Sequence, residues 1–142
     1  MAPILERIDH IHIHVSNRVI AEAWYAQVLG LRRLPEFEFW AVDGGPLTLS
    51  NASGSIHLAL FERPKQACHS TIALAVSANE FVAWQDHLAK ALQQPVPLVD
   101  HDVSWSLYFA DPDGNPFEIT CYDHAILASL LAQHHNGTGD AA

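Results

Sequence analysis

The chain is short of cysteine, of basic residues and of long apolar runs, and each shortage removes a class of function. Cys68 and Cys121 are the only cysteines in 142 residues and do not stand in a CxxC spacing. That is too few for a disulfide framework, so both are expected as free thiols of the core rather than ligands. Seven Lys and Arg against sixteen Asp and Glu leave a net charge of −9, and such a surface repels phosphate backbones, so no nucleic acid partner is expected. No apolar run approaches the roughly 20 residues that cross a bilayer, so no membrane association is expected. The opening Met1-Ala2-Pro3-Ile4-Leu5-Glu6-Arg7 lacks the basic start, apolar stretch and small-residue cleavage site of an export signal, which makes the cytoplasm the expected location. At this length one domain over residues 1–142 is expected, because two half-size units are too small to be stable apart.

Histidine, by contrast, is abundant, with ten in the chain. Three of them alternate with apolar residues between Ile8 and Val15: Ile11, Ile13 and Val15 fall on one strand face, and His10, His12 and His14 on the other. Ser16 or Asn17 can cap a following helix in which Ile20, Trp24 and Val28 recur every four residues, and Gly30 can end it. Three strands are then expected, at Leu31 to Trp40, Leu47 to Ser50 and Ser55 to Phe61, separated by Gly44-Gly45-Pro46 and Asn51-Ala52-Ser53-Gly54.

The second half repeats this βαβββ order. A strand from Ser70 to Val76 leads into the capping box Ser77-Ala78-Asn79-Glu80 and a helix turning Phe81, Trp84, Leu88 and Leu92 inward. Strands follow at about Val96 to His101, Trp105 to Ala110 and Pro116 to Tyr122. Asp123 then caps an amphipathic helix through Ile126, Leu127, Leu130 and Leu131, with a polar tail from Gln133. Module one spans about residues 7–62, module two about 68–123, and the C-terminal helix and tail 123–142. Val15-Ser16 falls on Val76-Ser77 at an offset of 61 residues, and Ile20 falls on Phe81 at the same offset. Carried on, that offset pairs His10 with Thr71 and Ile56-His57-Leu58 with Phe117-Glu118-Ile119. The fold class is therefore α+β, two paired βαβββ modules whose sheets are expected to curl around a common cleft.

His10, His57, Thr71 and Glu118 are the four equivalent positions. Two imidazoles and a carboxylate suit Fe(II), Mn(II), Ni(II) or Zn(II), with an open face for an oxygen ligand whose charge the metal would polarise. The ordinary alternative for each is a solvated or hydrogen-bonded strand residue. His12 and His14 share His10's face, so one of them could serve instead, and His69, two residues before Thr71, could be the ligand while Thr71 lines the pocket. Trp40, Trp105 and Tyr108 are candidates for an aromatic wall, although aromatic strand residues are more often core. His87, His101, His124, His134 and His135 read as surface residues. Asp111-Pro112-Asp113-Gly114-Asn115-Pro116 is a hairpin turn.

Ile8-Asp9-His10-Ile11, Trp24-Tyr25-Ala26-Gln27-Val28-Leu29-Gly30-Leu31 and Tyr108-Phe109-Ala110-Asp111-Pro112-Asp113-Gly114-Asn115-Pro116-Phe117-Glu118-Ile119 together resemble the vicinal-oxygen-chelate superfamily. It includes glyoxalase I, bleomycin-resistance proteins, fosfomycin-modifying transferases and extradiol dioxygenases. The resemblance covers about residues 7 to 123 and implies paired modules around a U-shaped cleft, commonly a homodimer, with a divalent metal held from the first and last strands of each module. His10 matches the first-strand histidine ligand and Glu118 the last-strand glutamate. His57 occupies the place of a glutamate in the first module of glyoxalase I, and Thr71 stands where the catalytic families have a histidine. Either His57 or His69 completes the triad, or the chain only binds ligands.

The leading expectation is a metal-dependent enzyme on a small oxygen-bearing molecule, with His10, His57 and Glu118 as ligands and His12 or His69 as proton shuttle. Two histidines and one carboxylate favour a ring-cleaving dioxygenase-like site over a glyoxalase-like lyase or isomerase, whose enediolate chemistry needs a general base. A fosfomycin-type thiol transferase fits less well, because Lys65 and Lys90 are the only lysines and no cationic cluster awaits a phosphonate. The competing class is a drug- or metabolite-binding protein of the bleomycin-resistance type.

Overall fold

The computed structural model describes residues 1–138. It divides into a first unit, Met1–Ala67, and a second that begins at Cys68.

In the first unit β1 (Ile11–Val15) leads into α1 (Arg18–Leu29), β2 (Arg32–Arg33), a 3-10 helix (Pro35–Trp40), β3 (Leu47–Ser50) and β4 (His57–Glu62). The sheet order is β1-β4-β3-β2, with β1 parallel to β4 and the other pairs antiparallel. A parallel pair needs a long crossover, and α1 with β2 and β3 supplies it. Asn17 is the cap: its side chain accepts from the Ile20 amide at 3.0 Å. Gly30 stops the helix with φ of 69°, a left-handed conformation that costs glycine little. The buried stripe of α1 is Ala21, Tyr25, Val28 and Leu29, whereas Ile20, expected inward, is exposed. The helix packs against β2 and β4 of a sheet whose apolar face is formed by Ile13, Val15, Leu47, Leu49, Leu58 and Leu60, all at most 4% exposed. Each such aliphatic side chain contributes on the order of 1.5–3 kcal/mol by leaving water. The other face is left to the polar side chains.

The strand expected from Leu31 to Trp40 is only the pair Arg32–Arg33, after which the chain turns into the 3-10 helix. Pro35 at its start fixes a helical φ and offers no amide for a ladder, and three residues per turn bring positions i and i+3 together. Phe37 and Trp40 accordingly stack, with ring centres 4.5 Å apart and planes 13° from parallel. Arg18 clamps the end of this segment, donating to the carbonyls of Ala41 and Gly45 at 2.9 Å each. Gly45 is required there, since a Cβ would sit 1.9 Å from the Trp40 carbonyl oxygen.

The second unit runs β5 (Ile72–Ala75), α2 (Ala78–Ala91), β6 (Leu98–Asp100), β7 (Trp105–Ala110), β8 (Pro116–Cys121) and α3 (His124–Thr138), with sheet order β5-β8-β7-β6. Ser77 caps α2 as expected, accepting from the Glu80 amide. Phe81, Leu88, Leu127 and Leu131 of the helices are buried with Leu107, Phe117, Ile119 and Cys121 of the sheet. Trp84 and Leu92 are half-buried, and Ile126, expected inward, is exposed. The polar segment from Gln133 is helical as far as Thr138, because Ala132, Gln133 and His134 favour or tolerate helix and His134 pairs with Asp86 of α2 at 2.8 Å. The remainder of the expected tail lies outside the described residues. Asp111 organises the β7–β8 turn: its carboxylate accepts from the amides of Asp113 and Asn115 and from the Asn115 side chain at 2.7–2.9 Å, while Gly114 takes a positive φ.

The repeat holds, but its offset slips. Ile11 pairs with Leu58, yet its mate Ile72 pairs with Phe117 rather than Ile119. The second unit therefore reaches its last strand two residues sooner. An even slip keeps every side chain on its face. It nevertheless changes the mates: Glu118 lies opposite Ala73, and the same place in the first unit, opposite His12, is held by Ala59 rather than by His57.

Candidate metal centre

On the polar face of the first sheet the pairing of β1 with β4 sets His12 opposite Ala59 and His14 opposite Phe61, and one step back the same register sets His10 beside His57. Thr48 and Ser50 of β3 stand across from Ala59 and His57. A cavity of about 310 Å³ opens on this face, lined by His10, His12, His57, Thr48 and the Phe37–Trp40 stack, with Arg7 and Asp9 at its rim. Sequence reasoning put Trp40 at the site but missed Phe37. The signal was present in Pro35 followed by aromatics three apart.

Asp9 Oδ2 lies 2.9 Å from His10 Nδ1. An ionised carboxylate only accepts, so Nδ1 carries a proton, and a metal would take the ring through Nε2. The bond from His10 holds the Asp9 carboxyl below its ordinary range, and Arg7 adds to the effect. His10 Nε2 lies 3.1 Å from His12 Nε2, the two rings stack at 5.0 Å, and His12 rests on Phe61 at 4.7 Å. His14 is turned to the Gln66 side chain. Asp9 was another residue that sequence reasoning passed over, although its place before His10 is the signal for an orienting carboxylate.

These donors fit a divalent metal of the zinc, iron or nickel type. Imidazole is a preferred ligand of each, and a carboxylate on the far ring nitrogen fixes the tautomer a metal requires. Among the described residues no three or more His, Cys, Asp or Glu side chains are gathered as a metal-binding cluster.

In the second unit Glu118 and Tyr108 are directly opposed on one sheet face. The buried Ser106 hydroxyl donates to Glu118 Oε1 at 2.5 Å, and Tyr108 shares a 3.0 Å hydrogen bond with His101 Nε2. Thr71 stands one residue before β5 and His69 two residues before that, and both are exposed. Trp105, expected to wall the site, is instead on the helix-packed face. It stacks on His124 at 5.3 Å and donates to that residue's carbonyl, because strand alternation puts it with Leu107 and Phe109. Of the histidines read as surface residues, His124 and His134 are half-buried and paired with Asp100 and Asp86. Cys121 is buried, but Cys68, expected in the core, is exposed.

A family profile described as the Glyoxalase/Bleomycin resistance protein/Dioxygenase superfamily matches residues 7–119. The chain belongs to that superfamily. Among curated relatives it is similar to biphenyl-2,3-diol 1,2-dioxygenase 3 of Rhodococcus globerulus, with 28% identity over 126 residues, 82% of this chain. This superfamily member spans only 63% of that relative's length. Its fold is similar to that of an integron cassette protein from the Halifax Harbour sewage outfall metagenome, at a TM-score of 0.68 with 19% identity, covering 82% of this chain and 99% of the other. A genomically encoded fosfomycin resistance protein from Listeria monocytogenes, complexed with Mn(II) and 1S,2S-dihydroxypropylphosphonic acid, gives 0.66 with 15% identity and coverages of 87% and 97%. A glyoxalase/dioxygenase from Nostoc punctiforme gives 0.62 with 18% identity and coverages of 86% and 98%.

Proposed function

We propose that this chain is a metal-dependent enzyme acting on a small oxygen-bearing molecule, and that its reaction is ring cleavage of an aromatic vicinal diol rather than a glyoxalase-type isomerisation. The observation that carries the reading is the Asp9–His10 pair, in which a carboxylate orients an imidazole that lines a cavity walled by stacked aromatics. His57 lines the same cavity, and in the second unit Glu118 stands at the glutamate-ligand position of the family pattern. A bound Fe(II) or Mn(II) would supply Lewis-acid and redox chemistry to a diol and dioxygen, and Zn(II) or Ni(II) the former alone.

The chain's own residues account for the rest. Phe37 and Trp40 offer a flat apolar wall to an aromatic ring, and Arg7 places a cation at the rim. Ala59 stands in the first unit where the second has Glu118, so β4 carries no carboxylate on its cavity face to act as the base that enediolate chemistry needs. The diol dioxygenase relative supports the same choice. A second reading, ligand binding without catalysis, is favoured by Thr71 in the place of a family histidine.

The test is anaerobic loading of the purified protein with Fe(II) or Mn(II), followed by oxygen uptake and product absorbance over a panel of catechols. Metal-dependent uptake with ring-opened product is the expected outcome, with activity lost in His10→Ala and Glu118→Ala. Stoichiometric catechol binding without oxygen uptake for either metal would transfer the chain to the binding class. Light scattering on the same samples reads the homodimer expected from the family in the cytoplasm.

A further inference from the structure

We propose that His12 is a metal ligand, so that β1 and the residue just before it donate two nitrogens to one ion as a His-x-His chelate of His10 and His12. The inference rests on the metal-dependent reading above and replaces the proton-shuttle role expected for His12.

Two metal–nitrogen bonds of about 2.0–2.1 Å, meeting at an angle between square and tetrahedral, separate their nitrogens by about 2.9–3.4 Å. His10 Nε2 and His12 Nε2 are 3.1 Å apart. Residues i and i+2 of a strand project from one face, so both rings reach the same point without strain in the backbone. Here the two rings lie 27° from parallel.

Protonation agrees with that distance. Asp9 accepts the hydrogen bond from His10 Nδ1 and so leaves Nε2 a lone pair. That nitrogen lies 3.1 Å from His12 Nε2, which either donates a hydrogen to it or turns its own lone pair toward a shared cation. Metal binding needs only that His12 carry its proton on Nδ1, the tautomer Asp9 already imposes on His10.

The strand register leaves room for an ion. Directly across from His12 stands Ala59, whose methyl leaves space over the sheet, while Phe61 supports the His12 ring from beyond. In the second unit the corresponding place is Glu118, opposite Ala73. The two units have exchanged donor and spacer: the second has its donor on the last strand and alanine on the first, and the first unit has alanine on the last strand and a histidine on the first.

The experiment is a titration of histidine-15N-labelled full chain with Zn(II), paired with Co(II) titrations read by visible absorption. We expect the Nε2 resonances of both His10 and His12 to move on Zn(II) binding. His12→Ala should bind Co(II) about 100-fold more weakly or worse and with an altered ligand-field spectrum, and Asp9→Asn about 10–100-fold more weakly. His14→Ala should leave affinity unchanged, and circular dichroism of each variant reports its folding. If wild type binds metal but only His10 shifts, or His12→Ala keeps the affinity and spectrum, the 3.1 Å contact is a hydrogen bond only and the chelate is overturned while the metal reading stands. If wild type binds neither ion, both fall together.

Discussion

The two units share one plan and one order of strands, and they differ on the face their helices leave bare. In the first unit that face carries His10, His12, His14 and His57, with Ala59 among them and a 3-10 helix folded over the edge. In the second it carries Glu118, Thr120, Ser106 and Tyr108, a carboxylate and three hydroxyls, of which that of Ser106 donates to it. The helix-covered faces hardly differ, because both need only apolar residues at alternate positions. Duplication has therefore preserved the packed side and let the open side diverge. Chemistry follows the divergence.

The largest effects should test what the units have in common. Phe81→Ala in α2 empties a fully buried site and should cost about 3–5 kcal/mol, and Leu60→Ala in β4 about 2–5 kcal/mol. Urea unfolding measures both. A loss below about 1 kcal/mol in either would mean that the packed faces are not the equivalent cores described.

Next comes the polar face of the second unit. Ser106 is fully buried and its hydroxyl donates to Glu118. Ser106→Ala removes a hydrogen bond to a charged group and should cost about 1.5–3 kcal/mol at neutral pH. The loss should shrink in a Glu118→Gln background, which no longer presents the charge. Equal losses in both backgrounds would assign Ser106 to Thr120 alone.

The sharpest test of the comparison is to undo it. Ala59→Glu gives the first unit the carboxylate that the second has in the corresponding place, across from His12. Carboxylate and imidazole together suit divalent ions. Zn(II) affinity should rise about tenfold or more, roughly 1.4 kcal/mol, read by competition with a chelating dye. Unchanged affinity would show that the face of β4 at residue 59 does not look toward the ion.

Much of this was legible in the sequence, for reasons that show where legibility ends. Asn17, Gly30, Ser77 and the Asp111–Asn115 turn announce themselves because capping and left-handed geometry admit few residue types. Alternation gave the faces of β1 and β8. What stayed hidden was register, because a slip of two leaves every face unchanged and so leaves no trace in the hydrophobic pattern. For that reason the constant offset matches His57 with Glu118, whereas the strand pairing makes Ala59 its mate. The run Leu34-Pro35-Glu36-Phe37-Glu38-Phe39-Trp40 misleads by alternating like a strand. Its proline, which denies a ladder amide, decides for the 3-10 helix. Trp105 is set with Leu107 and Phe109, and against Tyr108, by alternation alone, so it and Tyr108 could not wall one site from the same strand face.

The smallest effect separates the units by their surface ion pairs. Glu22 is held below the ordinary carboxylate range chiefly by its hydrogen bond from Arg33, which grips it through two 2.6 Å contacts. Asp100 is lowered chiefly by the hydrogen bond from His124. In both cases the folded pKa lies below the unfolded one, so the stabilisation is present above the ordinary values of 4.5 and 3.8 and is lost as pH falls through the folded value. Glu22 and Arg33 are partly exposed, and solvent screening limits their pair to about 1 kcal/mol or less. Stability of Glu22→Gln, followed by thermal unfolding from about pH 6 to 2, should therefore start slightly below wild type and converge with it in acid. Asp100→Asn should converge in the same direction, with the loss setting in at lower pH because its ordinary value of 3.8 lies below the 4.5 of Glu22. A gap between Glu22→Gln and wild type that widened in acid would reverse the sign of the linkage and remove the ion pair from the account of the first unit.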